Sequence, residues 1–256
     1  TDSIRYYLCA EMPEHADTEF RWESYQNRHN SELTNIYANL VNRTLKFIAS
    51  KLDGKTPAWS DTLAKPVSDE VADDENHEFH EAGIAISKAN ERVGKHLEAF
   101  EFRAALNEML NLARTGNKFF DEQAPWKSLK EDRPRCEHTL RTCLQLIKTM
   151  AVVSAPFIPE TAQRVWEMLG LDGEVCEVPW DEAPVDTFRR EDPLPAPEPL
   201  FKRIDDKQVA AEKKKLGIGS GQEKKQQKKG KSLPGIKKSV EIDDFGKLDL
   251  RVGRVL

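Results

Sequence analysis

Two stretches of the chain carry residue types suited to holding an unpaired nucleobase. Asn35, Asn39, Asn42, Arg43 and Lys46 fall at offsets of 4, 7, 8 and 11 from the first. On a helix this spacing gathers amides and cations onto one exposed strip. An amide carries donor and acceptor together and can pair with a base edge, and a guanidinium adds several donors and a flat face for stacking or phosphate contact. The same residues would also make an ordinary solvated face. Further along, Asp121-Glu122-Gln123-Ala124-Pro125-Trp126 sets a large aromatic directly behind a proline that restricts the backbone. Such a Trp126 suits a stacking platform for a splayed base, and equally a tryptophan closing the core at a helix end.

The elements that must position these residues are helical. Leu33, Ile36, Tyr37, Leu40, Val41, Thr44, Leu45 and Ile48 recur at the spacing of one helix face and predict a long amphipathic helix over residues 22 to 52. It stops near Leu52-Asp53-Gly54, before a loop reaching Lys65-Pro66. Ala82, Ile86, Ala89 and Val93 predict a second helix from about Glu75. Phe102, Ala105, Met109 and Leu112 predict a third, from Glu98 to Phe120. A fourth runs from Pro134 to Ala155 with Cys136, Leu140, Cys143, Leu144, Ile147 and Ala151 inward; Pro156 halts it and Pro159 opens a fifth. Short connections between such helices imply a mainly α fold, an antiparallel helical bundle.

Beyond the bundle the composition shifts. Pro184 to Pro199 is proline-rich and acidic and reads as linker rather than core. A short helix is expected around Asp205 to Leu216. Residues 213 to 238 hold ten lysines and one acid, a net charge of +9, which leaves −14 for the rest of a chain whose total is −5. A basic tract on an acidic chain suits a polyanion partner, or a solvated linker. Val240 to Phe245 and Leu248 to Val252 alternate apolar and polar residues as a half-buried strand does, and read as the first strand of a β domain. The chain reads as a fragment, open at both ends.

Other chemistry finds little support. No apolar run approaches the roughly 18 residues of a membrane span, so the expected setting is cytoplasmic and away from membranes. Cys9, Cys136, Cys143 and Cys176 show no CxxC pair and read as free thiols. His77-Glu78-Phe79-His80 is one residue short of a zinc-protease HExxH, and no metal site is expected. Lys214 to Gly221 lacks the lysine spacing and preceding strand of a phosphate-binding loop.

The features appear together and in order. Asn30-Ser31-Glu32-Leu33 with Ala38 to Arg43, then Asn117 to Trp126, then Ala155-Pro156-Phe157-Ile158-Pro159, closely resemble the anticodon-binding domain of methionyl-tRNA synthetases. Ile4 to Trp22 is similar to the stem-contact segment that follows the family's catalytic signature loop. Ile242 to Gly253 resembles the start of its appended OB-fold tRNA-binding domain. The resemblance implies a stem-contact segment at 1–24, a class I synthetase anticodon-binding bundle at 25–183, a flexible Pro- then Lys-rich linker at 184–238, and the truncated start of an OB-fold at 239–256. It implies that Asn39 and Arg43 contact anticodon bases, that Pro125 positions Trp126 for stacking, and that Asn35, Asn42 and Lys46 are additional candidate tRNA contacts. The implied partner is methionine tRNA with its CAU anticodon. The family's His-Ile-Gly-His-type and Lys-Met-Ser-Lys-Ser-type elements do not occur in this chain. Catalysis, with methionine, ATP and Mg and room for Zn, is therefore expected in a separate half, and no catalytic residue or cofactor in this one. The resemblance also allows a homodimer through a complete OB-fold. A free-standing tRNA-binding or scaffold protein without ligase activity is the alternative.

Overall fold

Residues 1–14, 17–57 and 77–216 are described by a computed structural model. Among them the fold is α-helical, with no strand and one isolated antiparallel bridge, Lys55 to Pro193. The loop through Lys65-Pro66, the lysine tract from residue 217 and the β segment Val240 to Val252 lie outside the described residues, as does the expected OB-fold start. Thr1 to Ala211 form one unit; Glu212 to Leu256 are assigned to a second, of which residues 212–216 are described.

The expected helix over 22 to 52 is a continuous rod in three parts: α2 (Trp22–Arg28), a π-helical stretch (His29–Tyr37) and α3 (Ala38–Lys51), with right-handed helical backbone at both junctions. The remaining bundle helices are α4 (His77–Glu98), α5 (Phe102–Gln123) and α7 (Arg133–Ser154). Tyr37 Oη and Ser154 Oγ meet at 2.9 Å, so the start of α3 lies beside the end of α7. Arg135 Nε donates to Gln123 Oε1 at 3.1 Å, so α7 begins where α5 ends. With the short α4–α5 connection, these contacts define an antiparallel bundle in which α3 and α5 run one way and α4 and α7 the other. Leu33, Leu40, Ile48, Met109, Leu140 and Ile147 are fully buried in its centre, each stabilising the fold by about 1.5–3 kcal/mol relative to exposure.

Four features depart from the sequence reading. The opening segment is itself a helix, α1 (Asp2–Ala10), with Tyr6 and Tyr7 buried and Asp2 Oδ2 accepting from the Thr161 amide at the start of α8 (Pro159–Met168). Pro125 and Trp126, placed directly after the third helix, also open a short helix of their own, α6 (Pro125–Glu131). Helix α7 is buried on every side from His138 to Ser154, not along one stripe.

The fourth departure explains the third. Residues 183 to 204 are no linker: they fold back as a strap across α7. The polar side of α7 presents Arg141, Gln145 and Lys148 at helical spacing. Arg141 pairs with Asp186 at 2.9 Å and donates to the Phe188 carbonyl; Gln145 donates to the Pro184 carbonyl at 2.6 Å; Lys148 donates to the Glu182 and Val185 carbonyls at 3.1 and 2.8 Å. A strap without regular structure leaves its carbonyls unpaired, and buried carbonyls need donors. These three side chains supply them. Thr56 pairs with Glu191 and Asp192, and Asn30 exchanges hydrogen bonds with Ile204, fastening the strap to both ends of the α2–α3 rod. The strap leads into α9 (Asp206–Lys215), close to the expected bounds, whose start is closed by reciprocal hydrogen bonds between Asp205 and Gln208. No helix of the described residues is long and apolar enough to cross a membrane.

Candidate nucleic-acid interface

Helices α3 and α5 cross closely at Gly116. A Cβ there would stand 2.5 Å from Leu40 Cδ2, so any larger residue would push Leu40 aside and loosen this approach. Because the two helices run in the same direction, residues one turn apart on α3 meet residues one turn apart on α5. Asn39 Nδ2 donates to Asn117 Oδ1 at 2.8 Å, and four residues later on both helices Arg43 Nη2 donates to Asp121 Oδ1 at 2.5 Å. Asn117 Nδ2 in turn donates to the Ile36 and Ala113 carbonyls at 3.0 and 2.9 Å.

An aromatic floor lies beside this ladder. The Arg43 guanidinium sits 4.2 Å from the centroid of Phe120, which is buried, and the Phe120 ring is 6.2 Å from Trp126 at a 40° tilt. Trp126 is 45% exposed, well beyond what a core-closing tryptophan leaves to solvent. Its direction is set by Ala124, which has φ 42° and ψ 62°, in the left-handed region. That residue ends α5 and starts α6 at once: its carbonyl accepts the Lys127 and Ser128 amides, and Pro125 takes the first helical position, where a missing N–H costs nothing. Buried Pro125 is held further by Cys136, whose thiol donates to its carbonyl at 3.4 Å. A non-glycine residue in the left-handed region costs of order 1 kcal/mol and persists only where its surroundings impose it.

Electrostatically the ladder is balanced. The hydrogen bond from Arg43 holds the Asp121 carboxyl below the usual carboxylate range, so the pair stays ionised. The Arg43 side chain is 24% exposed and that of Asp121 60%. Exposed Lys46, Lys127 and Lys130 on α3 and α6 add positive charge at the same end of the bundle.

Of the residues singled out by sequence, Asn39, Arg43, Pro125 and Trp126 come together at this end, with Lys46 one turn beyond. Asn35 and Asn42 do not join them. Asn35 lies in the π-helical stretch, and its Oδ1 accepts from Arg203 of the strap at 3.1 Å. Asn42 is half-buried, with Oδ1 shielded from solvent and meeting no donor. Asn117 and Asp121 were not singled out as site residues, although a signal was available. They repeat on α5 the four-residue spacing of Asn39 and Arg43 on α3.

Residues 66–221 match the family model for the anticodon binding domain of methionyl tRNA ligase, and residues 1–45 match that for class I tRNA synthetases (M). The chain belongs to the methionyl-tRNA ligase family. The ligase of Methanopyrus kandleri is 35% identical over 99% of this chain and 34% of its own length, and that of Bacteroides fragilis 35% identical over the whole chain and 35% of its own. The chain thus spans about a third of the length of these methionine–tRNA ligases. The apo structure of Mycobacterium tuberculosis methionyl-tRNA synthetase superposes with a TM-score of 0.66 at 26% identity, over 80% of this chain and 39% of that one. The anticodon-domain match of the ligase family runs on through the strap, in keeping with its packing against α7.

Proposed function

We propose that this chain is the part of a methionine–tRNA ligase that reads the CAU anticodon of methionine tRNA, and that Asn39, Arg43 and Trp126 are the reading residues. The observation that carries this is the juxtaposition of an exposed tryptophan with an amide and a guanidinium, each held in place by a partner on α5. Trp126 offers a face on which an unstacked base can lie. Asn39 and Arg43 offer the hydrogen-bonding groups that distinguish one base edge from another. The attachment of methionine to tRNA, with ATP and Mg, would be performed by the enzyme's catalytic portion in the cytoplasm, and dimerisation through an OB-fold is part of the same reading. The match of residues 1–45 to class I synthetases favours a ligase over a free-standing tRNA-binding or scaffold protein.

Binding of this chain to an anticodon stem-loop RNA bearing CAU, compared with single-base variants at one salt concentration, tests the proposal. Asn39→Ala and Arg43→Ala should each reduce discrimination between CAU and a variant more than they reduce binding to the variant. Phosphate contacts carry no sequence information, so their loss weakens all RNAs alike. An equal loss for every RNA would refute base reading by α3.

A further inference from the structure

We infer that Asn117 is a specificity-determining positioning residue: it locks the Asn39 amide so that the carbonyl oxygen, not the NH2 group, faces the ligand. This inference rests on the anticodon-reading proposal and deepens it.

A side-chain amide is nearly symmetric in shape, so its orientation follows from the hydrogen bonds around it. Asn117 Nδ2 donates to two backbone carbonyls, Ile36 at 3.0 Å in the π-helical stretch and Ala113 at 2.9 Å one turn back on α5. Reversing the Asn117 amide would set its oxygen against both carbonyl oxygens, leaving three acceptors without a proton between them. Oδ1 of Asn117 therefore points toward α3, and Asn39 can meet it only with its own NH2, at 2.8 Å. That commits the NH2 end of the exposed Asn39 amide to Asn117 and leaves its Oδ1 free to accept from a ligand, with the donor-only guanidinium of Arg43 one turn away.

An acceptor beside a group of donors matches a base edge that sets an amino group next to ring or carbonyl acceptors. Cytosine and adenine have such edges. Uracil and guanine present a carbonyl oxygen where the amino group would be, and would meet the Asn39 oxygen with repulsion. Without Asn117 the Asn39 amide can turn over and accept either kind of base. The ligand-facing chemistry of α3 is thus set by a residue on α5 and, through it, by the Ile36 carbonyl of the π-helical stretch.

The test measures binding of the chain to stem-loop RNAs carrying CAU and to variants in which the C is exchanged for U or the A for G. Each exchange puts an oxo group where the amino group stood and turns the neighbouring ring nitrogen from acceptor to donor; guanine also adds a 2-amino group. Wild type should prefer the amino form at one of these letters, and Asn117→Ala should lower that preference by roughly five- to tenfold, the worth of about one hydrogen bond. Adding Asn39→Ala to Asn117→Ala should lower the preference no further, because the orienting bond is already gone. Asn117→Ser provides the check on folding. Its hydroxyl can still bond back to the Ala113 carbonyl but is too short to reach Asn39, so it should match Asn117→Ala in preference with helical circular dichroism unchanged. A preference that survives in Asn117→Ser, or losses from Asn39→Ala and Asn117→Ala that multiply in the double variant, would overturn the inference while leaving anticodon reading intact. If Asn39→Ala alone left the preference unchanged, the anticodon-reading proposal would fall, and this inference with it.

Discussion

Asp121 accepts a hydrogen bond from Arg43 at 2.5 Å, one helical turn beyond the bond between Asn117 and Asn39, so each of the two α3 side chains proposed to read bases has its own partner on α5. The Asp121 carboxylate is the more exposed member of its pair. Asp121→Asn removes a negative charge there and frees Arg43 to act as a net cation. Binding should strengthen by a few-fold for cognate and variant RNA alike at low salt, the gain shrinking as salt rises. Filter-binding titrations across a salt series measure this, and an affinity unchanged at low salt would show that the carboxylate lies away from the RNA path.

Trp126→Ala should weaken binding of the CAU stem-loop by about 1–3 kcal/mol, the usual worth of one base–aromatic stack. With nearly half its surface exposed, the side chain adds little to the core, so thermal unfolding should shift only slightly. A large drop in melting temperature with unchanged RNA affinity would make Trp126 a structural residue.

Gly116→Ala tests the helix crossing. The new methyl group meets Leu40 at 2.5 Å, an overpacking that costs about 1–3 kcal/mol, while replacing glycine inside a helix returns about 1 kcal/mol of propensity. Net stability should therefore fall by no more than about 2 kcal/mol. RNA discrimination should suffer more, because separating α3 from α5 lengthens the Asn39–Asn117 bond. Urea melts and the binding comparison are needed together, and discrimination preserved in a destabilised protein would contradict the expectation.

The stability of the bundle should fall in mild acid. Burial drives the pKa of His138 down to about 4, and His29 is also lowered by desolvation. Both depressions favour the neutral imidazole in the folded state. Between pH 6.5 and about 4 the unfolded chain binds more protons at His138 than the folded one. Stability is then complete above pH 6.5 and lost as pH falls through that window. At 1.36 kcal/mol per pKa unit the His138 contribution is on the order of 3 kcal/mol. Urea denaturation from pH 7 to pH 4 should show the decline, and His138→Leu should flatten it; an unchanged slope in that variant would assign the acid sensitivity elsewhere.

Arg141→Ala should destabilise the protein by about 1–3 kcal/mol, since it leaves the buried Phe188 carbonyl without its donor and Asp186 without its cation. Proteolysis should then cut first between residues 184 and 192. Protection there equal to wild type would mean that Lys148 and Gln145 hold the strap unaided.

The bundle helices were legible because their apolar residues recur at helical spacing, and Leu40, Ile48, Val93, Met109, Leu140 and Ile147 are all in the core. The strap was not. Proline-rich, acidic sequence has no periodicity to read, and what holds it is α7, whose Arg141, Gln145 and Lys148 look in sequence like a solvated face. Asn39, Arg43 and Trp126 were legible as chemistry, but their neighbours were not, because pairing Asn39 with Asn117 depends on helix direction and on the close crossing at Gly116. Asn35 lies in the π-helical stretch and is held by Arg203 of the strap, a partner that sequence spacing alone does not show.

Glycine at position 124 would take up its left-handed backbone freely, and the chain uses alanine instead. The alanine methyl group narrows the range through which the α5–α6 corner can swing, so the indole beyond it samples few directions before any ligand arrives. On the proposed stacking role of Trp126, less motional freedom is left to lose on binding, and the strain is carried by the empty protein rather than charged to the encounter. Relaxing the corner with Ala124→Gly would leave every contact residue in place and yet produce a looser grip, visible chiefly as faster release of the RNA.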